Sequence, residues 1–167
     1  MGTTKKPRKR YQPKPVNPLA HKVGLCGVFF VDDAAIKSRD ELLTAAVDAA
    51  CIGQGTKDHW RCIFDAVNTL EAMIELKLAD GAGVEPAMRM MDDVLTRAKR
   101  TGSFALRYEE RDLLHKLRDT YTESLLQLTN AELFQVENHV SSTIRRALQG
   151  DKNKTRVIDA EHMAFPP

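Results

Sequence analysis

Apolar residues recur at every third or fourth position in five stretches of the chain, the spacing that places them on one face of an α-helix. The clearest stretch consists of Trp60, Ile63, Phe64, Val67, Leu70, Ile74 and Leu78. Links of about two to five residues separate the stretches, and such short links favour antiparallel neighbours. The pattern therefore predicts an all-α fold, an antiparallel helical bundle of about five helices.

Capping residues indicate where these helices begin and end. A serine or threonine followed three residues later by a glutamate forms a capping box, and this pattern occurs at Ser38 and at Thr129. Pro86 suits a first helical turn, and glycines follow several of the apolar stretches. The expected helices run from Ser38 to Gly53, from Thr56 to Gly81, from Pro86 to Gly102, from about Ser103 to Leu128 and from Thr129 to Gly150.

The second, fourth and fifth helices are expected to carry the core. The core residues on these helices are expected to be Trp60, Phe64, Leu114, Leu117, Tyr121, Val140 and Ile144. A methionine cluster, formed by Met73, Met88, Met90 and Met91, is interpreted as core filling, with an adaptable binding surface as the alternative.

An apolar segment, Val23 to Val31, precedes the helices and is rich in β-branched and aromatic residues. Such a segment can form a short strand, but no second strand signal exists in the chain. We expect it to pack as an irregular segment or a short helix across the other helices. A hairpin or an intermolecular strand is the alternative.

Charge divides the chain into unequal parts. Seven of its 25 basic residues and none of its 23 acidic residues lie in residues 1–22, so the remainder carries a net charge of −5. Four prolines in the first 18 residues disfavour helix and central strand. We therefore predict a flexible basic arm at 1–22, a helical bundle domain at 23–150 and a flexible, mostly polar tail at 151–167.

The basic arm is the one segment whose residues point to a binding function. Its positive charges can neutralise phosphates, and a tyrosine among them can stack on a base. The candidate nucleic-acid-binding residues are Lys5, Lys6, Arg8, Lys9, Arg10, Tyr11 and Lys14. A solvated tail is the alternative interpretation. No helix-turn-helix signal accompanies the arm, so no sequence-specific recognition is expected.

Catalytic and metal-binding residues are not predicted anywhere in the chain, and no cofactor is expected. His59 and Cys62 lie three residues apart, with Cys51 upstream, but the second ligand pair that zinc commonly requires is missing. His115 and His139 would need a serine or cysteine within hydrogen-bond reach to act as bases. We therefore expect a protein that is not an enzyme and has no evident small-molecule substrate.

The cysteines and the hydropathy pattern bear on the compartment. Three cysteines without a CxxC pair fit a reducing environment, where free thiols persist. No run of about 18 apolar residues exists, so neither a membrane span nor a membrane partner is expected. The expected localisation is cytoplasmic.

The sequence KKPRKRYQPKPVNPL, from Lys5 to Leu19, resembles the start of small helical proteins encoded in proteobacterial phage and prophage genomes. Those proteins have no established activity, so the resemblance assigns no functional residue. It implies a bacterial cytoplasm and an accessory role. We expect a non-enzymatic interaction protein that binds a partner protein or self-associates. The alternative is a nucleic-acid-binding protein that uses its arm.

Overall fold

The fold is known from a computed structural model, which describes residues 29–81 and 84–149. This part of the chain contains five helices and no strand, so the all-α bundle predicted from the sequence is confirmed. The helices are α1 (Asp33–Cys51), α2 (Lys57–Glu75), α3 (Glu85–Thr101), α4 (Tyr108–Gln127) and α5 (Asn130–Leu148). The predicted arm and tail lie outside the described residues.

Helix α2 lies at the centre of the bundle. It packs against α1, α4 and α5, while α4 also packs against α1 and α3. The α1–α2 and α3–α4 pairs are consecutive helices that contact each other across short connections, which makes each pair an antiparallel helical hairpin. Helix α5 has α2 as its main neighbour and therefore lies at the edge.

Of the seven residues expected in the core, five are buried, so the prediction is confirmed for those five. Those five, all on α2 and α4, are buried: Trp60, Phe64, Leu114, Leu117 and Tyr121. Val140 and Ile144 are only half-buried, because α5 covers the bundle from one side. Val136 is the buried one among the α5 side chains that the structure describes. Buried leucine, valine and methionine side chains of α1 and α3 complete the core, so the expectation that three helices carry it is wrong.

The methionine cluster lies in the core, so its interpretation as core filling is confirmed. Met73, Met88, Met90 and Met91 are all buried. Three of them belong to α3, and their flexible thioethers fill space between that helix and its neighbours. An adaptable methionine surface is therefore excluded.

The start of α1 differs from the prediction. The helix begins at Asp33, with Asp32 as its N-cap, so the Ser38 capping box is wrong and Ser38 lies inside the helix. Two alanines follow Asp33, and alanine has the highest helix propensity. Ile36 is buried and extends the apolar face by one turn, so propensity and burial together override the local capping signal.

The end of α2 also differs, because the helix stops at Glu75 rather than continuing to Gly81. Lys77 adopts a left-handed conformation, with φ of 60°. The Leu78 N–H donates to the Met73 carbonyl at 2.8 Å, and the Lys77 N–H donates to the Ile74 carbonyl at 3.0 Å. These two bonds form a Schellman motif, which ends the helix and leaves a longer connection to α3 than expected.

The α3–α4 connection is fixed by a buried ion pair. Arg97 donates two hydrogen bonds to Glu110, at 2.8 and 2.6 Å, and a third to the Ala105 carbonyl at 2.9 Å. Burial alone would raise the pKa of Glu110, but hydrogen bonds from Arg97 and the Arg107 N–H outweigh it and lower that pKa. Helix α4 accordingly begins at Tyr108, later than expected, whereas Gly102 ends α3 as predicted, with φ of 70°.

Candidate functional site

The residues predicted to bind nucleic acid all lie outside the described part of the chain. They are Lys5, Lys6, Arg8, Lys9, Arg10, Tyr11 and Lys14. Their role in nucleic-acid binding stays a prediction from the sequence. Any candidate site within the bundle consists of other residues.

The exposed apolar side chains near the α4–α5 junction form the first candidate, here called the apolar corner. It consists of Phe29, Phe30, Leu126 and Phe134. Phe29 and Phe30 are 66% and 68% exposed, although they belong to the most apolar segment of the sequence. Leu126 lies at the end of α4 and Phe134 in the second turn of α5, so both flank the junction.

Backbone hydrogen bonds hold Phe29 and Phe30 at this junction. The Val31 N–H donates to the Leu128 carbonyl at 3.1 Å, and the Asn130 N–H donates to the Phe29 carbonyl at 2.9 Å. Together they make an antiparallel bridge between Phe30 and Thr129, outside any strand. Of the residues in the predicted apolar segment that are described, only Val31 is buried, so its expected packing across the helices is confirmed at that residue alone. Residues 23–28 lie outside the described part.

A capping box fixes the other side of the junction. Glu132 accepts hydrogen bonds from the Thr129 N–H and hydroxyl, both at 2.8 Å, and these bonds lower the pKa of its carboxyl group. The Asn130 side-chain amide donates to the carbonyls of Phe29 and Phe30, each at 3.2 Å. The aromatic pair therefore projects from backbone that is anchored at both ends of the bridge.

A thiol and an imidazole form the second candidate. Cys51, at the end of α1, lies with its Sγ 3.6 Å from His115 Nε2 on α4, so His115 has the nearby cysteine that a nucleophilic pair requires. Burial raises the pKa of the Cys51 thiol, which keeps it protonated and poorly nucleophilic at neutral pH. The other histidine, His139, contacts Glu75 at 2.6 Å instead of a nucleophile.

The residues considered for a metal site have structural partners. His59 Nδ1 accepts a hydrogen bond from the Thr56 N–H at 3.2 Å, and the Thr56 hydroxyl accepts one from the His59 N–H at 3.4 Å. The imidazole thus caps α2. Among residues 29–81 and 84–149, no three histidine, cysteine, aspartate or glutamate side chains are grouped so as to hold a metal ion.

Comparison of the chain with protein-family models, with curated proteins and with solved structures finds no match. In the described part of the chain, every helix is too short or too polar to cross a bilayer. The function is therefore inferred from the geometry of the bundle and from the charge distribution along the sequence.

The sequence does not predict the apolar corner, because the exposure of its side chains depends on the final packing. The period of the helical stretches places their apolar residues on a buried face, but Phe29 and Phe30 precede the first helix and follow no such period. Two adjacent phenylalanines beside Asp32 and Asp33 were the available signal, since a chain that turns polar at once has little length to bury both rings.

Proposed function

We propose that this chain is a non-enzymatic interaction protein that binds a partner protein, or a second copy of itself, through the apolar corner. The observation that carries the proposal is the exposure of Phe29 and Phe30 on backbone anchored to the α4–α5 junction. Burying an aromatic side chain removes about 150–250 Å² from water, so a partner that covers both rings gains substantially.

The anchoring makes these aromatics suitable for binding. Residues that dominate protein interfaces are enriched in aromatic types and cluster in well-packed centres. A segment whose backbone is already held near its bound position loses less conformational entropy on association. The bridge from Phe30 to Thr129 and the Asn130 amide supply this restraint.

A bacterial cytoplasmic setting and a phage or prophage accessory role belong to the same proposal. The support is the resemblance of residues 5–19 to such proteins, together with the thiols of Cys51 and Cys62, which are both free. Free thiols are typical of proteins in a reducing compartment.

The test replaces both aromatics of the corner and asks whether association is lost. Light scattering on a size-exclusion column measures self-association, and capture from a host lysate detects a partner protein. The Phe29→Glu/Phe30→Glu variant should lose whichever association the wild type shows while keeping its helical circular dichroism. Tyr108→Glu is the matched control, since Tyr108 is exposed and about 27 Å away along α4 from Leu126.

Two results would count against the proposal. One is a wild-type chain that stays monomeric at high concentration and captures no protein. The other is an association that the double variant retains, or that Tyr108→Glu abolishes equally.

A second candidate function is nucleic-acid binding through the basic arm, and the observation that favours it is the charge distribution of the sequence. Residues 1–22 contain seven basic residues and no acidic residue, whereas the remainder of the sequence carries a net charge of −5. If four to six of these charges contact duplex phosphates, the log–log salt slope of binding should be about −4 to −5. Fluorescence anisotropy on the full chain and on a chain starting at Val23 measures this. Equal binding by the two chains would show that the arm does not bind the nucleic acid.

A further inference from the structure

A cleft opens at one end of the bundle, where the α1–α2 turn faces the α3–α4 connection. This cleft, here called the turn cleft, has a volume of about 270 Å³. Its lining includes Gly55, Thr56, Lys57, Trp60, Ser103 and Phe104. Ligand pockets in proteins typically measure about 300–1,000 Å³, so the cleft lies just below that range and has room for a ligand smaller than a drug-sized molecule.

The indole of Trp60 brings an unused hydrogen-bond donor to this cleft. Trp60 is only 2% exposed, yet its Nε1–H donates to no group in the described part of the chain. The nitrogen lies against Gly55, where an added Cβ would stand 2.8 Å from it. Because a buried donor without an acceptor is unfavourable, an acceptor that enters beside Gly55 gains a hydrogen bond that the protein itself does not make.

The start of α2 adds positive electrostatic potential to the same wall. Thr56 is the N-cap and Lys57 the first helical residue, and both line the cleft. The first turn of a helix presents backbone N–H groups without helical acceptors, and the helix dipole is positive there. The Asp58 N–H, in this turn, donates to no acceptor in the described residues. An oxyanion is the group that these donors and the Lys57 charge favour.

The side of the cleft next to Phe104 is aromatic. The rings of Trp60 and Phe104 have centroids 5.0 Å apart and are tilted by 32°, and Phe64 lies behind Phe104 at 6.2 Å. A flat apolar group placed against these rings would be removed from water. The lining thus combines donors for an oxyanion with a surface for an apolar body.

We propose that the turn cleft binds a small organic acid with a flat apolar body. Its carboxylate accepts hydrogen bonds from the Trp60 Nε1–H and from the first turn of α2, while its body packs on Phe104. This site is independent of the apolar corner and goes beyond the protein–protein function proposed above, because it assigns the bundle a small-molecule ligand.

The test uses 4-fluorobenzoate as the probe and the full-length protein. Its fluorine NMR signal should shift and broaden saturably, with a dissociation constant below about 1 mM. The chain has one tryptophan, so a single indole N–H cross-peak reports the site directly, and that peak should move during the same titration. 4-Fluorobenzamide, which lacks the charge, should bind at least tenfold more weakly, and inorganic phosphate, which lacks the apolar body, should displace the probe only at concentrations far above those of the acid.

Two variants test whether Lys57 and the Trp60 N–H contribute to binding. Lys57→Gln should weaken binding of 4-fluorobenzoate several-fold, whereas Lys37→Gln, at an exposed position near the start of α1, should not change it. Trp60→Phe keeps an aromatic ring, removes the N–H and should lower affinity about tenfold. The fluorine signal still reports binding in that variant.

Four results would overturn the proposal: no saturable shift of either signal, equal binding of the acid and the amide, phosphate that displaces the probe as effectively as the unlabelled acid does, or unchanged affinity in both Lys57→Gln and Trp60→Phe. If Trp60→Phe does not fold, Lys57→Gln and the amide comparison decide the question alone.

Discussion

Helices α2 and α5 have the same length and nearly the same start, yet they occupy different positions in the bundle. Each has 19 residues and begins with a threonine whose side chain accepts the N–H of the third helical residue. Helix α2 buries nine residues, whereas Val136 is the buried one among the α5 side chains that the structure describes. The cap determines where a helix starts, but the packing of its apolar face against the rest of the bundle determines how much of it is buried.

Polar contacts partly replace apolar packing on α5. His139 contacts Glu75 at the end of α2, and Glu137 accepts a hydrogen bond from Arg39 on α1 at 2.8 Å. Partly exposed ion pairs contribute only about 0–1 kcal/mol each, far less than buried side chains do. We therefore expect α5 to open locally at a lower free energy than α2.

The largest expected effect comes from removing a large side chain of each helix. Phe64→Ala on α2 should lower the free energy of unfolding by about 3–5 kcal/mol, because Phe64 is fully buried. Val140→Ala on α5 removes a half-buried side chain and should lower it by less than about 1.5 kcal/mol. Urea unfolding measures both, and equal losses would contradict the assignment of α5 to the edge.

The two caps provide a sharper comparison. Thr56→Ala and Thr129→Ala should each lower stability by about 1 kcal/mol, since each loses an N-cap hydrogen bond. Amide hydrogen exchange should separate them: Thr129→Ala speeds exchange mainly within α5, whereas Thr56→Ala affects the whole bundle. Identical exchange patterns would show that α5 does not open on its own.

The end of α2 offers a stabilising change. Lys77 has a left-handed backbone, which costs a residue with a Cβ about 1 kcal/mol relative to glycine. Lys77→Gly should therefore raise the free energy of unfolding by about that amount, and Lys116→Gly, inside α4, should lower it. Thermal and urea unfolding of the two variants measure the difference, and destabilisation by Lys77→Gly would contradict the Schellman motif.

Acid should weaken the start of α5. Hydrogen bonds from Thr129 lower the pKa of Glu132, so its stabilising contribution is present above the unfolded pKa, near 4.3, and is lost as the pH falls through the lower folded value. Urea unfolding between neutral pH and acid should show a smaller loss in Glu132→Gln than in wild type. A parallel pH dependence of the two chains would contradict this role.

The smallest expected effect concerns the link between α5 and α1. Glu137→Gln breaks the pairing with Arg39 and should change global stability by about 0–1 kcal/mol while speeding amide exchange in α5. Glu41→Gln is the control, because Glu41 pairs with Lys37 on the same helix. Exchange in α5 that responds equally to both variants would mean that the link does not hold the helix.

Signals that act over a few residues were predictable from the sequence. Thr56 and Thr129 cap helices as expected, and Gly102 ends α3, because each acts on backbone groups within its own turn. The prediction failed at Ser38, where helix-forming residues and a buried Ile36 lie upstream of the capping box.

Features that depend on distant segments were not predictable. Cys51 and His115 are 64 residues apart, and only the packing of α1 on α4 places their side chains together. The turn cleft likewise depends on two connections that meet at one end of the bundle. No periodicity in the sequence indicates that the Trp60 donor would be left without an acceptor.

The position of Trp60 makes its fluorescence a reporter of the packing around α2, but not of the attachment of α5. The chain has one tryptophan, packed against both Phe64 and Phe104, so its fluorescence emission follows the contact of α2 with the α3–α4 connection. Detachment of α5 would leave these rings in place and the emission nearly unchanged, although the far-ultraviolet ellipticity would fall. Unfolding curves recorded by the two optical signals would then separate, and a two-state analysis based on fluorescence alone would overlook the edge helix.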